Sequence, residues 1–154
     1  FEKHFNSLTL KQNNLVLRDF HVDNLIYLND RDGIHQLGLI DYQDALIGSS
    51  VYDFVSLIED VRHPIKNDLK NSLIEMYSKL ISVDQNELKR EISFYSIQRN
   101  LKIVGIFSRL KYRDDKKNYF PMIEVALGFI KNHLKNNEYK DLNNWMNNIM
   151  NKSL

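Results

Sequence analysis

Three oxygen-bearing side chains early in the chain have types and spacing that suit phosphoryl transfer. Asp19 and Asn24 are separated by four residues, and Asp41 follows a later apolar run. This Asp-x4-Asn spacing, followed by a separate metal-binding Asp, is that of kinase catalytic loops. Carboxylate and amide oxygens are hard ligands that suit Mg²⁺ better than zinc or copper. The pattern predicts that Asp19 orients a hydroxyl and accepts its proton, while Asn24 and Asp41 hold Mg²⁺ against nucleotide phosphates.

Three short apolar runs must position these side chains. Residues 15–17, 25–28 and 37–40 are rich in Leu, Ile and Val and have the length of small buried strands. Each run begins or ends beside an acidic or amide residue, so a tight sheet would bring the three polar side chains together. Residues 29–33 are a strong turn signal and predict a hairpin joining strands 25–28 and 36–41. The alternative is that the polar residues only cap strand ends.

Apolar residues at helical spacing dominate the rest of the chain, so the expected fold class is α+β and mostly helical. Residues 1–13 are expected to finish a helix that leads into the first strand. The other expected helices begin at Ser49 or Ser50, span 67–81, run from a cap at Asp84 to about Leu110, and span 120–134 and 141–150.

The composition narrows the class of protein. The 154 residues are expected to form a single domain, 1–154, large enough to bury a core. Lys plus Arg number 21 against 20 acids, and a net charge of +1 argues against a nucleic-acid partner. The chain has no Cys, which excludes Cys-based metal sites and fits a cytoplasmic location. No apolar run approaches the roughly 18 residues of a membrane helix, so no membrane partner is expected.

The motifs around the three polar residues resemble a known family. Residues 18–24, Arg-Asp-Phe-His-Val-Asp-Asn, and residues 40–45, Ile-Asp-Tyr-Gln-Asp-Ala, are similar to the aminoglycoside phosphotransferase/choline kinase superfamily. Its members have a protein-kinase-like fold and phosphorylate small molecules. Residues 98–110, with Arg113-Asp114 and Tyr119 beyond them, resemble the bacterial branch that contains the anomeric N-acetylmuramate/N-acetylglucosamine kinases of cell-wall recycling. The resemblance covers residues from about 14 to 130.

The resemblance implies ATP and Mg²⁺ as cofactors and a small-molecule acceptor with a hydroxyl, with an amino sugar as the expected class. It implies Asp19 as catalytic base, Asn24 and Asp41 as magnesium ligands, and Asp53 as the buried Asp that braces the catalytic-loop backbone. The family usually has His immediately before the Arg-Asp pair, where this chain has Leu17. We expect His21 to supply part of the missing bracing.

Five further side chains are candidates for substrate binding. The three acids could line a cationic or sugar pocket, or could cap and solvate helix ends. The two arginines recur with Lys102 at helical spacing, and could face an anionic sugar substituent or lie on a solvated helix face. The candidates are Asp44, Glu59, Asp60, Arg99 and Arg109.

A kinase of this type also needs an amino-terminal lobe with a glycine-rich loop and a strand-borne Lys. The five glycines are nowhere clustered, and the catalytic motif arrives within the first twenty residues. We therefore expect the chain to be the carboxy-terminal lobe of a protein-kinase-like fold, inactive alone, whose partner is the missing amino-terminal lobe. The alternatives are an aminoglycoside antibiotic phosphotransferase and a catalytically inactive kinase-like binding module.

Overall fold

The computed structural model describes residues 1–10 and 12–152, with the exception of the side chains of Lys117, Met150, Asn151 and Lys152. The chain divides into two compact units, Phe1–Tyr95 and Ser96–Leu154. The first unit contains all the short strands that the structure describes, together with the predicted phosphoryl-transfer residues.

Two separate antiparallel ribbons carry the strands of the first unit. β1 (Asn14–Val16) pairs with β4 (Leu46–Gly48), and β2 (Leu25–Tyr27) pairs with β3 (Leu37–Leu39). The predicted strands therefore exist, but the expectation of one tight sheet is wrong, because the described strands form two ribbons of two strands each. Sequence reasoning also missed β4, whose partner β1 lies far away in the sequence.

The connection between β2 and β3 is longer than a tight turn. After the predicted turn residues, a 3₁₀ turn at Gly33–Gln36 leads into β3. Gly33 has a φ of 58°, a left-handed conformation that glycine adopts without a Cβ penalty. The hairpin that the sequence predicted is thus confirmed, with an added 3₁₀ turn.

Helices make up most of the chain, as expected for the mostly helical α+β class. α2 begins directly after Ser49, whose hydroxyl accepts a hydrogen bond from the Val51 N–H, and Asp84 caps α4 by accepting from the Asn86 and Glu87 N–H groups. The expectation for residues 1–13 is wrong in extent, since the helix there is a single turn. The helices are α1 (Glu2–Phe5), α2 (Ser50–Ile58), α3 (Asn67–Leu80), α4 (Gln85–Tyr112), α5 (Phe120–His133) and α6 (Lys140–Lys152). Among those described, none is both long enough and apolar enough to cross a membrane.

α2 lies at the centre of the first unit's core. Its apolar residues repeat at helical spacing and are almost fully buried, against side chains from α3 and from the first part of α4. β1 packs against α2, so the helix supports the strand that leads to Asp19. The core residues are Val51, Phe54, Val55, Ile58, Ile74, Leu88, Ile92, Phe94 and Tyr95.

The second unit has its own apolar core. Side chains from the rest of α4, from α5, from α6 and from a 3₁₀ turn at Asn137–Tyr139 form it. Tyr139 in that turn is 1% exposed, which makes it one of the most buried large side chains of the unit. The core residues are Ile97, Ile130, Leu134, Tyr139 and Met146.

A buried glutamate of α4 fastens the segment ahead of β1. Glu91 is 1% exposed, and its Oε1 accepts hydrogen bonds from the backbone N–H groups of Thr9, at 2.9 Å, and Leu10, at 3.0 Å. Its Oε2 has no hydrogen-bond partner among the described residues. Burial raises the pKa of Glu91 above the ordinary 4.5, and the two backbone N–H groups oppose this shift.

This pKa shift predicts how stability depends on pH. A carboxyl whose folded pKa is raised binds its proton more tightly in the folded state, so the free energy of unfolding should fall as pH rises from the unfolded to the folded pKa. Glu91→Gln, a neutral replacement of the same shape, should remove this fall and make the chain more stable than wild type at neutral pH. Urea denaturation at a series of pH values measures both effects.

The matched control is Glu75→Gln on the exposed face of α3. Lys79 lowers the pKa of Glu75, mainly through a hydrogen bond and to a smaller extent through its charge. Ionised Glu75 therefore stabilises the fold at pH values above the pKa that Glu75 has in the unfolded chain. Glu75→Gln should therefore lower the free energy of unfolding at neutral pH, the opposite of the effect expected for Glu91→Gln. A Glu91→Gln chain that is less stable than wild type at neutral pH would contradict the prediction.

Candidate active site

Asp53, in the first turn of α2, holds the backbone immediately ahead of Asp19. Its Oδ2 accepts a hydrogen bond from the Leu17 N–H at 2.6 Å, and its Oδ1 accepts one from the Arg18 N–H at 3.0 Å. Because these are backbone groups, the contact does not depend on which side chains occupy the two positions. The carboxylate thus sets the direction in which the chain leaves β1 towards Asp19.

Asn24 ties together the two segments that carry the acidic candidates. Its side-chain Nδ2 donates to the backbone oxygen of Asp19 at 2.8 Å. Its own backbone oxygen accepts from the Ile40 N–H at 3.2 Å, which extends the β2–β3 pairing by one residue to the neighbour of Asp41. Asn24 therefore contacts Asp19 directly and Asp41 through its neighbour. The side-chain nitrogen is used in this bond, which leaves Oδ1 as the atom suited to a cation.

The candidate Asp41 and Arg18, the neighbour of Asp19, adopt a left-handed backbone that non-glycine residues rarely take. Arg18 has a φ of 73° and Asp41 a φ of 61°, and each lies two residues beyond the end of a strand, β1 and β3 respectively. The other two described cases, Ser82 and Asp115, follow helices, where a left-handed residue is common. Strained backbone away from helix ends concentrates at functional sites, so the pair near Asp19 supports a functional role for this region.

The side-chain oxygen atoms of Asn24 and Asp41, in the same region as Asp19, suit a metal that also binds phosphates. Asp19 and Asp41 are exposed, Asn24 is half-buried, and Gln43 donates a side-chain hydrogen bond to Asp41. No group of three or more His, Cys, Asp or Glu side chains is placed to hold a metal anywhere in the described part of the chain. The amide oxygen of Asn24 and the carboxylate of Asp41 fit Mg²⁺, which keeps several waters and uses few protein ligands when it bridges to phosphates.

His21 lies inside the loop between Asp19 and Asn24. The residue is 9% exposed, and its backbone oxygen accepts from the Asn24 N–H at 2.9 Å. Its ring Nδ1 is 3.7 Å from Asp23 Oδ2 and has no hydrogen-bond partner among the described residues. This buried position is compatible with bracing of the loop, which stays a prediction.

The three acidic substrate candidates have different environments. Asp44 is exposed, and its backbone oxygen accepts a hydrogen bond from the Arg18 guanidinium at 3.4 Å. Glu59 is fully buried with its carboxylate paired to Lys70, a position that suits a structural role better than contact with a substrate. Asp60 is 1% exposed, and its Oδ2 has no hydrogen-bond partner among the described residues.

The two arginine candidates belong to the second unit and to opposite environments. Arg99 is 5% exposed, whereas Arg109 is exposed near the end of α4. The alternative that both arginines lie on a solvated helix face is therefore wrong for Arg99, because its side chain is buried. Contact of either arginine with a substrate stays a prediction.

Sequence reasoning missed two residues that contact the loop, Arg62 and His63. Both approach the carboxylate of Asp23, which lies next to Asn24 in the 3₁₀ turn Val22–Asn24. The sequence shows only a basic pair ahead of Pro64. Nothing in that local pattern reveals a partner so distant along the chain.

Comparison with known proteins decides the family. Residues 3–90, more than half of the chain, match the phosphotransferase enzyme family APH. The chain belongs to this phosphotransferase family. The resemblance that residues 18–24 and 40–45 predicted is thereby confirmed, as is the protein-kinase-like, mostly helical α+β fold class.

Curated relatives also match most of the chain. The chain is 35% identical over 123 residues to the N-acetylmuramate/N-acetylglucosamine kinase of Neisseria meningitidis serogroup B. This match covers 75% of the chain and 35% of that protein. The kinase of the same name from Caulobacter vibrioides is 30% identical, with 69% of the chain and 30% of that protein covered. The kinase of the same name from Pseudomonas putida is 30% identical, with 75% of the chain and 35% of that protein covered. The chain spans about a third of the length of these relatives.

Proposed function

We propose that this chain is the carboxy-terminal lobe of an ATP- and Mg²⁺-dependent phosphotransferase whose acceptor is the hydroxyl of an amino sugar. The observation that carries the proposal is the position of Asn24, whose side chain bonds the Asp19 backbone and whose backbone bonds Ile40, next to Asp41. The names of the curated relatives support the acceptor class. A cytoplasmic role in cell-wall recycling is part of the same proposal.

In this proposal Asp19 orients the acceptor hydroxyl and takes its proton. Its carboxylate is exposed, while its backbone is held on one side through Arg18 and Asp53 and on the other through Asn24. A side chain that is free at its tip and fixed at its base can reach a substrate without a large loss of conformational entropy.

Asn24 Oδ1 and the Asp41 carboxylate would hold Mg²⁺, which supplies neutralisation of the charge on the phosphates. The left-handed backbone of Asp41 directs its carboxylate from the end of β3, and Gln43 restrains one of its oxygens. Asp60 is the acid we favour for acceptor binding, since one buried oxygen of its carboxylate has no hydrogen-bond partner among the described residues.

The proposed enzyme also needs a nucleotide-binding lobe with a glycine-rich loop. No such loop is recognisable in this chain. Apolar side chains on the two ribbons support such a partner, because large exposed apolar areas mark interaction surfaces. Leu15 and Ile47 on the β1–β4 ribbon are 64% and 66% exposed, and Tyr27 and Ile34 on the β2–β3 hairpin are 63% and 76% exposed.

The test of this function is an acceptor screen. A protein that joins this chain to a nucleotide-binding lobe should transfer phosphate from ATP to N-acetylmuramate or N-acetylglucosamine, whereas the 154-residue chain alone should not. Transfer to kanamycin-type acceptors alone would indicate an antibiotic phosphotransferase. Nucleotide binding without transfer to any acceptor would indicate a catalytically inactive binding module.

Replacement of Asp41 tests the metal site. Asp41→Asn keeps the size and tolerates the left-handed backbone, but removes the negative charge, so Mg·ATP should bind about tenfold or more weakly. Titration of nucleotide binding at several Mg²⁺ concentrations measures the loss.

Gln43→Ala is the control for Asp41→Asn, because it removes a partner of the Asp41 carboxylate and leaves the charge. Its effect on Mg·ATP affinity should be smaller. An unchanged affinity in Asp41→Asn would remove Asp41 from the metal site.

A further inference from the structure

A half-exposed aspartate in the candidate catalytic loop is contacted by two residues of the segment that follows α2. The side chain of Asp23 is 50% exposed. Its Oδ1 lies 3.1 Å from His63 Nε2, within hydrogen-bond distance, and its Oδ2 lies 3.9 Å from Arg62 Nε. These contacts join residues about forty positions apart in the sequence.

Arg62 also contacts the buried Asp60. Its Nη1 lies 3.6 Å from Asp60 Oδ1, and its backbone N–H donates to the same oxygen at 3.0 Å. The Arg62 guanidinium therefore lies between the carboxylate of Asp23, in the loop 19–24, and the carboxylate of Asp60, in the segment that follows α2 in the sequence. The other oxygen of Asp60 is the buried atom that lacks a hydrogen-bond partner among the described residues.

We propose that Asp23, Arg62 and His63 form a latch that fixes the segment 60–63 to the loop 19–24. Each exposed contact is weak by itself, because solvent screens the charges and the side chains lose conformational freedom. Two residues that converge on one carboxylate restrict the loop more than either does alone. The latch makes Arg62 and His63 positioning residues, which act by holding Asp60 relative to Asp19.

The expected consequence for catalysis rests on the proposed function. Asp60 is our candidate for acceptor binding, so a loosened latch should weaken binding of the acceptor. Asn24 has separate ties to Asp19 and Ile40, which do not involve Asp23. Binding of Mg·ATP should therefore be unaffected.

Amide hydrogen exchange in the 154-residue chain tests the latch without any assay of activity. The N–H of Asn24 bonds the His21 carbonyl, and the N–H of Arg62 bonds Asp60, so one reporter lies on each side of the contact. Asp23→Ala should speed exchange at both amides by about twofold to fivefold, the range expected for loss of exposed charge contacts. Asp23→Asn, which keeps an oxygen for His63, should restore part of the protection.

The control variant is Glu75→Ala, which removes another exposed ion pair of the same unit, that with Lys79. It should leave exchange at Asn24 and Arg62 unchanged. The latch would be overturned by unchanged exchange at both amides in Asp23→Ala. A rise of equal size throughout α3 would also overturn it, because that result indicates a global loss of stability.

Kinetics in a protein that joins this chain to a nucleotide-binding lobe give the second readout. His63→Ala should raise the KM for the acceptor by about twofold to fivefold with the KM for Mg·ATP unchanged, and His63→Gln should recover part of the loss. An equal rise in both KM values would overturn the positioning role. If wild type transfers phosphate to no acceptor, the proposed function fails, while the exchange result still decides the latch.

Discussion

Asp19→Asn is expected to lower kcat by a factor of about 10² to 10⁴, the usual contribution of a positioned general base. Asparagine cannot accept the proton of the acceptor hydroxyl, although it keeps the size of the side chain. Asp19 is exposed, and the hydrogen bond that it accepts from the Asn24 side chain goes to its backbone oxygen, so the substitution should not change the fold. Steady-state kinetics in a protein that joins this chain to a nucleotide-binding lobe measure the effect.

The control for this substitution is Asp30→Asn, in the connection between β2 and β3, where an exposed acid lies outside the candidate site. Its kcat should match wild type, and both variants should unfold at the wild-type urea concentration. Nucleotide affinity should also be kept in Asp19→Asn. Turnover near the wild-type rate in that variant would exclude Asp19 as the base.

Asp53→Ala is expected to lower the free energy of unfolding of the chain by about 2–4 kcal/mol. Each of the two hydrogen bonds to this charged group contributes about 1.5–3 kcal/mol, and water replaces part of that contribution because the two N–H groups are only partly buried. The substitution leaves the N–H groups of Leu17 and Arg18 without their acceptor, and Arg18 holds a left-handed backbone that this carboxylate stabilises. Urea denaturation followed by circular dichroism measures the loss.

Asp68→Ala is a matched control, because Asp68 also lies in the first turn of a helix, α3. It removes the favourable interaction of an acid with the helix dipole and nothing at the loop. Asp53→Asn keeps one acceptor oxygen, so its free energy of unfolding should lie between those of Asp53→Ala and Asp68→Ala. If Asp53→Ala is no less stable than Asp68→Ala, the proposed bracing role of Asp53 is wrong.

The contacts of Asp53 also explain how the loop tolerates Leu17 where the family usually has histidine. The carboxylate bonds the backbone N–H of Leu17, a group that every residue except proline provides. Backbone bracing at this position is thus independent of the side chain. His21, buried within the same loop, occupies a different place and contacts Asp23.

The sequence by itself determined the local elements and the family of this protein. The helix α2 begins at the predicted position, and α3 to α6 begin and end within about two residues of the predicted bounds, because apolar spacing and capping residues such as Ser49 and Asp84 act over a single turn. The spacing of Asp19, Asn24 and Asp41 indicated phosphoryl transfer, and the motifs at residues 18–24 and 40–45 resembled the phosphotransferase family, because such short motifs are visible without coordinates.

Only the tertiary structure decided which distant residues meet. The pairing of β1 with β4, the bonds from Asp53 to the loop, the hold of Glu91 on Thr9 and the contact of His63 with Asp23 all join residues far apart in the sequence. Such contacts follow from how helices pack over one core, and no local pattern encodes that packing. The same packing buried Glu59 against Lys70, although its position in the sequence resembled that of an exposed helix end.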